Sequence, residues 1–313
     1  MERLCFYIMK YILYSTIGVF SLIQLACSPG DSLEPPYQEQ LIVHAFFVNS
    51  DSVFQVRAMK SLNPYVPQDT GTAGFVSEDD ADRFEITLSL DAEPIGTFNY
   101  IPRNERPTGI YNYVNHLPHP VTANQQLLLE AEHEQLGKVS ALQEMPAETP
   151  LESVRYIGRL GVDITGNPLY GVELTLSDPP DIENFYQISI VEKCEDGISC
   201  LQRALFITFQ EPFLASNNGI SSAQYLNDSF FNGTRFSIIV LTNQEISSKY
   251  VVRWRTISPE WYAYAISISQ GILQDLGSSF TLAYAEPFSI ISNINGGLGC
   301  FGVGTQRDYD IEF

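Results

Sequence analysis

Basic side chains are scarce in this 313-residue chain, which has 17 Lys and Arg residues against 37 Asp and Glu residues and a formal net charge of −20. Binding to nucleic acid depends on clustered Lys and Arg that face phosphates, so this balance argues against a nucleic-acid partner. The same shortage disfavours docking on anionic lipid through a basic patch. Charged residues make up only 17% of the chain and hydrophobic residues 44%, which indicates folded structure rather than overall disorder.

Catalytic motifs are also missing. The sequence contains no serine elbow, zincin or phosphate-loop signature. The segment Gly297–Gly302 matches the dinucleotide glycine fingerprint formally, but no βαβ unit surrounds it and only 11 residues follow it. We therefore predict that these glycines serve either a β-bulge or a close backbone crossing near a final strand. The sequence predicts no catalytic residue, no cofactor and no metal site.

Two metal candidates have simpler interpretations. His116 and His119 lie three residues apart in a proline-containing loop, which is more typical of solvated loops than of ligand pairs. The acidic run Glu78–Asp82 offers oxygen ligands for calcium but does not have EF-hand spacing, and acidic runs usually form solvated faces.

The N-terminus has the features of a targeting segment. Residues Tyr11–Ala26 carry no charge and follow Arg3 and Lys10, which is typical of a signal peptide over residues 1–26. Because the uncharged run continues to Gly30, a membrane-spanning anchor is the alternative.

The end of this segment resembles a bacterial lipobox. In Leu22–Cys27 a small residue, Ala26, precedes the cysteine, although Gln24 stands where leucine is usual. The resemblance implies that Cys27 is lipidated and becomes the mature N-terminus, with residues 27–40 as a tether. The lipid would attach the protein to a membrane that its acidic body does not favour.

The remaining cysteines have separate predictions. Cys194 and Cys200 bracket the short turn Glu195–Ser199, and in an exported protein such a pair favours a disulfide. A metal pair is the weaker alternative, since no second Cys or His pair lies nearby. Cys300 is predicted to be a buried small apolar residue.

The rest of the chain is predicted to be mainly β. Apolar residues take every second position in Phe84–Leu90, and Gln126–Glu134 with Val139–Leu142 form a plausible hairpin. Such spacing favours antiparallel sandwiches over a parallel α/β sheet. Further strands are predicted at Leu41–Phe47, Val53–Met59, Gly171–Leu176, Phe185–Val191, Leu205–Phe209, Phe236–Leu241 and Tyr250–Ile257.

One helix is predicted at about residues 258–273. Ser258 can cap it, Pro259 suits its first position and Glu260 complements its dipole. An apolar face at helical spacing indicates that it packs on a sheet. That face comprises Trp261, Ala265, Ile268 and Ile272.

The best candidate for a domain boundary is Met145–Pro150, which has two prolines and no apolar periodicity. It predicts an N-terminal immunoglobulin-like antiparallel sandwich over residues 41–145. A second β-rich domain that carries the helix would follow over residues 151–313.

Three stretches together resemble a Bacteroidota lipoprotein family known as domain of unknown function 4249. The first is the strand Leu41–Phe47, and the second is Ser177–Pro180 followed by Asn184–Ile188. The third and most specific is Ser292–Gly302, which is similar to the closing motif of the family. The residues that match the family motifs are Asp178, Pro179, Asn293, Gly296, Gly297, Gly299 and Phe301.

These motif residues are expected to have structural roles. Asp178 precedes two prolines and suits a turn, and Asn293 belongs to a residue type that tolerates unusual backbone angles.

The resemblance implies a location at the outer membrane or cell surface and gene neighbours that encode TonB-dependent receptors. No activity is established for the family, so no catalytic residue is carried over. We expect a non-enzymatic lipoprotein that serves a TonB-dependent outer-membrane transporter as an accessory or ligand-binding partner. The alternatives are a surface glycan or peptide hydrolase that uses paired carboxylates, and a purely structural envelope protein.

Overall fold

The structure is a computed structural model, and it describes residues 37–61, 76–77, 81–106, 110–193, 203–211, 221–277 and 290–313. The predicted signal peptide, Cys27 and most of the tether lie outside the described residues. Cys194 and Cys200, whose disulfide was predicted, lie outside them as well, as does most of the acidic run at 78–82.

The described chain is mainly β, with a sandwich-like arrangement and one α-helix, as the alternation of apolar residues predicts. The helix, α1, spans Pro259–Gly277, and short 3-10 helices lie at Ala81–Arg83 and Arg103–Glu105. The strands are β1 Leu41–Val48, β2 Val53–Ser61, β3 Val76–Ser77, β4 Phe84–Leu90, β5 Glu93–Thr97, β6 Asn99–Tyr100, β7 Tyr113–His116, β8 Gln126–His133, β9 Gly137–Glu144, β10 Leu151–Val162, β11 Pro168–Ser177, β12 Phe185–Glu192, β13 Ile207–Phe209, β14 Gln224–Asn227, β15 Arg235–Thr242, β16 Tyr250–Ile257 and β17 Leu298–Asp310.

Most predicted strands are found at their predicted positions. The strands at Phe84–Leu90 and Tyr250–Ile257 have the predicted bounds, and β8 and β9 pair in the predicted hairpin. The strand predicted at Leu205–Phe209 begins only at Ile207. Strand β15 pairs with Ile207–Phe209 and not with Leu205 or Phe206.

Three sheets make up the described fold. A nine-stranded sheet has the order β14-β12-β16-β17-β1-β2-β7-β6, with β3 added beside β2. Two four-stranded sheets have the orders β10-β11-β15-β13 and β5-β4-β8-β9. In the large sheet β1 pairs with β2 in antiparallel fashion and with β17 in parallel fashion, a pairing that the sequence did not predict.

Each small sheet packs against the large sheet over its own hydrophobic core. One core joins residues of β1 and β2 to those of β4, β8 and β9. The second joins β12 and β16 to β11 and β15. Strand β17 contributes to both, with Phe301 and Val303 in the first core and Ile311, just beyond its end, in the second. The large sheet thus combines strands from both predicted domains.

The glycines near the C-terminus permit the parallel pairing of β1 with β17. A Cβ atom on Gly299 would lie 2.0 Å from the carbonyl oxygen of Val43, and one on Gly297 would lie 2.6 Å from that of Leu41. Gly299 also has a φ of +113°, which L side chains rarely adopt. The prediction of a close backbone approach is therefore confirmed. Cys300, in the same strand, is a buried free thiol, as predicted.

Helix α1 lies on the face of the large sheet opposite the two cores. Its first turn is capped by Ser258, whose Oγ accepts from the Trp261 backbone N–H at 3.4 Å and from the Val303 N–H at 3.4 Å. A Cβ atom on Gly302 would lie 2.7 Å from Cβ of Trp261, so this glycine lets the helix approach the sheet. Among the described residues, no helix is long and apolar enough to cross a membrane.

Candidate functional site

A cleft of about 560 Å³ lies on the helix-covered face of the large sheet. Helix α1 forms one wall, and the end of β1 with the following turn forms another. Its volume falls within the range of small-ligand sites. The cleft is lined by Phe46, Val48, Asp51, Gln55, Tyr111, Ser221, Ser222, Ala223, Tyr225, Arg255, Trp261, Tyr264, Ala265, Ile268 and Ser269.

A row of polar side chains crosses four adjacent strands of the large sheet, and two of them, Tyr225 and Arg255, line the cleft. Tyr225, Gln187, Arg255 and Gln306 stand in register on β14, β12, β16 and β17. The Gln187 amide donates to the Tyr225 hydroxyl at 2.8 Å. Arg255 donates from Nη1 to Gln187 Oε1 and from Nε to Gln306 Oε1, both at 2.7 Å. These two bonds fix the plane of the guanidinium.

Arg255 carries a positive charge that is poorly compensated. Burial, together with the charge of Arg253, lowers the pKa of Arg255 to about 10, so the group remains charged at neutral pH. Within the described ranges, Arg255 forms no ion pair with a carboxylate, whereas Arg253 pairs with Asp308 through bonds of 2.9 and 2.8 Å. A guanidinium has five N–H donors, and the bonds of Arg255 to Gln187 and Gln306 use two of them. The Arg255 guanidinium also lies 5.7 Å from the ring centre of Trp261.

Asp51 supplies the negative charge of the cleft. It sits in the turn between β1 and β2, where its Oδ2 accepts from the Val48 backbone N–H at 3.3 Å. Burial raises the pKa of Asp51, and the Val48 amide and Arg255 oppose that rise. The described lining of the cleft thus has one acidic side chain, Asp51, and one basic side chain, Arg255.

Aromatic rings form the wall under the helix. Phe46 contacts Trp261 with ring centres 5.1 Å apart and Tyr264 at 5.7 Å. The Tyr264 hydroxyl is 3.0 Å from Nε2 of His44. Burial, together with the charge of Arg57 on the neighbouring strand, lowers the pKa of His44 to about 4. His44 is therefore neutral at neutral pH.

The closing family motif supports this wall from below. The side-chain amide of Asn293 donates to the Phe301 carbonyl oxygen at 2.8 Å and accepts from the Phe301 N–H at 2.9 Å. It pairs with β17 like a neighbouring backbone segment. Asn293 does not have a positive φ, so the expectation of an unusual backbone angle is wrong, and the side chain carries its role. Gly296, by contrast, has a φ of +82°.

The other family motif builds a buried polar network at a different place. Asp178 accepts from the Tyr186 hydroxyl and from the Gly233 N–H at 3.1 Å. Asn184 donates from its backbone N–H to Asp228 Oδ2 at 2.7 Å. Burial, and then the nearby charge of Asp178, raise the pKa of Asp228. The turn expected at Asp178 and Pro179 begins only after Pro179. The Asp178 side chain instead connects Tyr186 and Gly233 through buried hydrogen bonds.

None of the predicted motif residues that the structure describes lines the cleft. In the closing motif Cys300 and Gly302 contact α1, whereas Ile294 and Phe301 belong to the first core on the other face of the sheet. Sequence reasoning missed Arg255, Gln187 and Asp51. A signal was available for Arg255, since arginines alternate with buried residues in β16, but strand periodicity does not show which neighbours would compensate the charge.

The fold and the cleft define a mainly β, sandwich-like protein with a binding cleft walled by a single helix. A family model described as "Domain of unknown function (DUF4249)" matches residues 31–310. The chain belongs to this family.

No curated protein matches the chain. One similar solved structure is the apo structure of Bacteroides uniformis beta-glucuronidase 3, with 13% identity and a TM-score of 0.24. That match covers 69% of this chain and 23% of the other chain.

Proposed function

We propose that this protein is a non-enzymatic, ligand-binding lipoprotein of the bacterial cell envelope. In this proposal a lipid on Cys27 holds it at the outer membrane, where it serves a TonB-dependent transporter as an accessory. The observation that supports a binding role is the cleft over the large sheet, in which aromatic rings face an arginine without an ion-pair partner among the described residues.

The geometry favours binding over hydrolysis. Hydrolysis by paired carboxylates requires two acids that face one space. Asp51 is the one acidic side chain among the described residues that line the cleft. Asp178 and Asp228 are both buried, and their oxygens accept hydrogen bonds that hold the chain together. A hydrolase remains the alternative proposal.

The proposal is tested on the full-length tagged chain in membranes of its native host. We expect mass spectrometry of the N-terminal peptide to show a lipid on Cys27. We also expect a TonB-dependent transporter to copurify from gently solubilised outer membranes. The matched control is Cys27→Ser, which removes the acceptor thiol and leaves the described fold unchanged.

The expected lipid on Cys27 and the expected copurification of a transporter can be disproved independently of each other. If the wild-type chain retains residues 1–26 uncleaved, the N-terminus is a membrane anchor and the lipoprotein proposal is wrong. If Cys27 is lipidated but nothing specific copurifies, the transporter partnership is wrong.

A further inference from the structure

We propose that the cleft binds the carboxylate of a small, ring-containing ligand through Arg255. This inference rests on the proposed binding function and adds the chemical class of the ligand. Two glutamine side chains hold the guanidinium of Arg255 in a fixed plane, and its remaining N–H donors have no described partner.

A carboxylate suits these donors better than a point charge would. A guanidinium presents paired N–H bonds in a planar fork, and a carboxylate presents two oxygens in a matching plane. Gln187 and Gln306 accept from Arg255 and so orient its charge without neutralising it, and no carboxylate in the described part of the chain pairs with it directly. Arg253 lies on the same strand and already has Asp308 as its bidentate partner.

The acidic residue in the cleft restricts the anion to a single charge. Asp51 lines the same space as Arg255, and the two charges act on each other. A ligand with a second negative charge would be repelled by Asp51. Phosphate and dicarboxylates are therefore disfavoured, whereas neutral polar groups can bond to Asp51 and Gln55.

The aromatic wall indicates a flat body for the ligand. Phe46, Trp261 and Tyr264 form one contacting cluster, and Tyr111 and Tyr225 also line the cleft. Sugar rings and aromatic rings both pack on such surfaces. The shared chemistry is thus a carboxylate attached to a ring, from either a sugar acid or an aromatic acid.

The two tryptophans of the chain provide a direct readout. Trp261 lines the cleft, whereas Trp254 is fully buried in the second core. Labelling the full-length chain in mild detergent with 5-fluorotryptophan gives two ¹⁹F resonances, which the Trp261→Phe variant assigns. The probes are glucuronate and phenylacetate, with glucose and phenylacetamide as their uncharged counterparts and inorganic phosphate as a second anion.

We expect at least one acid to shift the Trp261 resonance at concentrations up to about 10 mM. Trp254 should stay in place, and the uncharged counterparts should have no effect. A response to glucuronate alone identifies a sugar acid, and a response to phenylacetate alone an aromatic acid. Arg255→Gln should weaken binding by about tenfold or more, since charge-assisted hydrogen bonds are lost.

The control variant is Arg253→Gln, which removes the same charge from the same strand outside the cleft and should change the affinity by less than about twofold. Arg255→Lys keeps the charge without the fork and should bind more weakly than wild type. An unmoved Trp254 resonance shows that each variant is folded.

The inference is overturned if neither acid shifts Trp261 or if the uncharged counterparts act equally. It is also overturned if phosphate binds as well as the acids, or if both Arg255 variants bind like wild type. Cys27 lipidation and transporter copurification do not depend on Arg255, so a failure here is distinguishable from failure of the proposed function.

Discussion

At the scale of single residues, Gly299 decides how closely two strands meet. Its missing side chain leaves room for the carbonyl of Val43 on β1, which a Cβ atom would approach to 2.0 Å. Backbone atoms on both sides cannot move without breaking the parallel ladder between β1 and β17. Gly137, at the turn of the β8–β9 hairpin, has a positive φ of +81° but open space around it.

The two glycines therefore make a matched pair of substitutions. Gly137→Ala should lose about 1–2 kcal/mol of unfolding free energy, from backbone strain alone. Gly299→Ala adds a steric clash and should lose more than about 3 kcal/mol or prevent folding. Urea unfolding followed by circular dichroism measures both. Equal losses for the two variants would show that the contact with Val43 relaxes easily.

His44 gives stability a specific dependence on pH. Its pKa is about 4 in the folded protein and about 6.5 when unfolded. Between these values the unfolded chain binds the extra proton, so the free energy of unfolding falls as the pH falls. Above pH 6.5 the effect is absent, and below pH 4 it is complete.

We expect the wild type to lose about 2–3 kcal/mol more than His44→Gln when the pH is lowered from 7.5 to 4.5. Glutamine cannot titrate but can still bond to the Tyr264 hydroxyl. Denaturant unfolding of both proteins at the two pH values measures the difference. Parallel losses in both would assign the acid sensitivity to other groups.

At the scale of elements, α1 shows how local signals and packing combine. The capping serine, the proline after it and the apolar face predicted the helix, and Trp261 is buried against the sheet as that face requires. The described helix extends to Gly277, four residues beyond the predicted end. Its position on the sheet depends on Gly302, which leaves room for Trp261 although the two residues lie 41 positions apart in sequence.

Ser258→Ala should destabilise the protein by about 1 kcal/mol, because the first turn of α1 loses its side-chain acceptor. Ser269→Ala is the control, since the Ser269 hydroxyl only bonds back to the Ala265 carbonyl within the helix. Thermal and urea unfolding of both variants provides the comparison. If the two substitutions have the same effect, the cap at Ser258 contributes nothing.

At the scale of the whole molecule, the large sheet brings together the first and last strands of the described chain, β1 and β17. Strand β1 lies between β2 and β17, and β17 continues the sheet to β16. The first core also takes Ile294, Phe301 and Val303 from the C-terminal segment. A fragment over residues 41–145 would expose one edge of β1 and lack these side chains.

We therefore expect residues 41–145 to remain unfolded when produced alone. Fusing residues 290–313 to this fragment through a flexible linker should restore a cooperative unfolding transition, because the missing strand and core residues return. Circular dichroism and urea titration distinguish the two. Cooperative unfolding of 41–145 by itself would instead establish it as an independent domain.

The sequence by itself determined the helix, the family and many of the strands, although it did not predict β5, β7, β10 or β14. Alternation in β4, β8 and β16 and the cap at Ser258 are local, and short-range sterics and burial translate them directly into structure. Even the glycines near the C-terminus indicated a close backbone contact, although not with which strand.

Only the tertiary structure decided which strands pair and which side chains meet. The pairing of β1 with β17 and the row from Tyr225 to Gln306 join segments far apart in the chain. The sequence also does not distinguish Arg255 from any other polar residue of a strand. Its charge becomes informative only when the fold buries it beside Trp261 and two neutral amides, because compensation of a charge depends on neighbours in space.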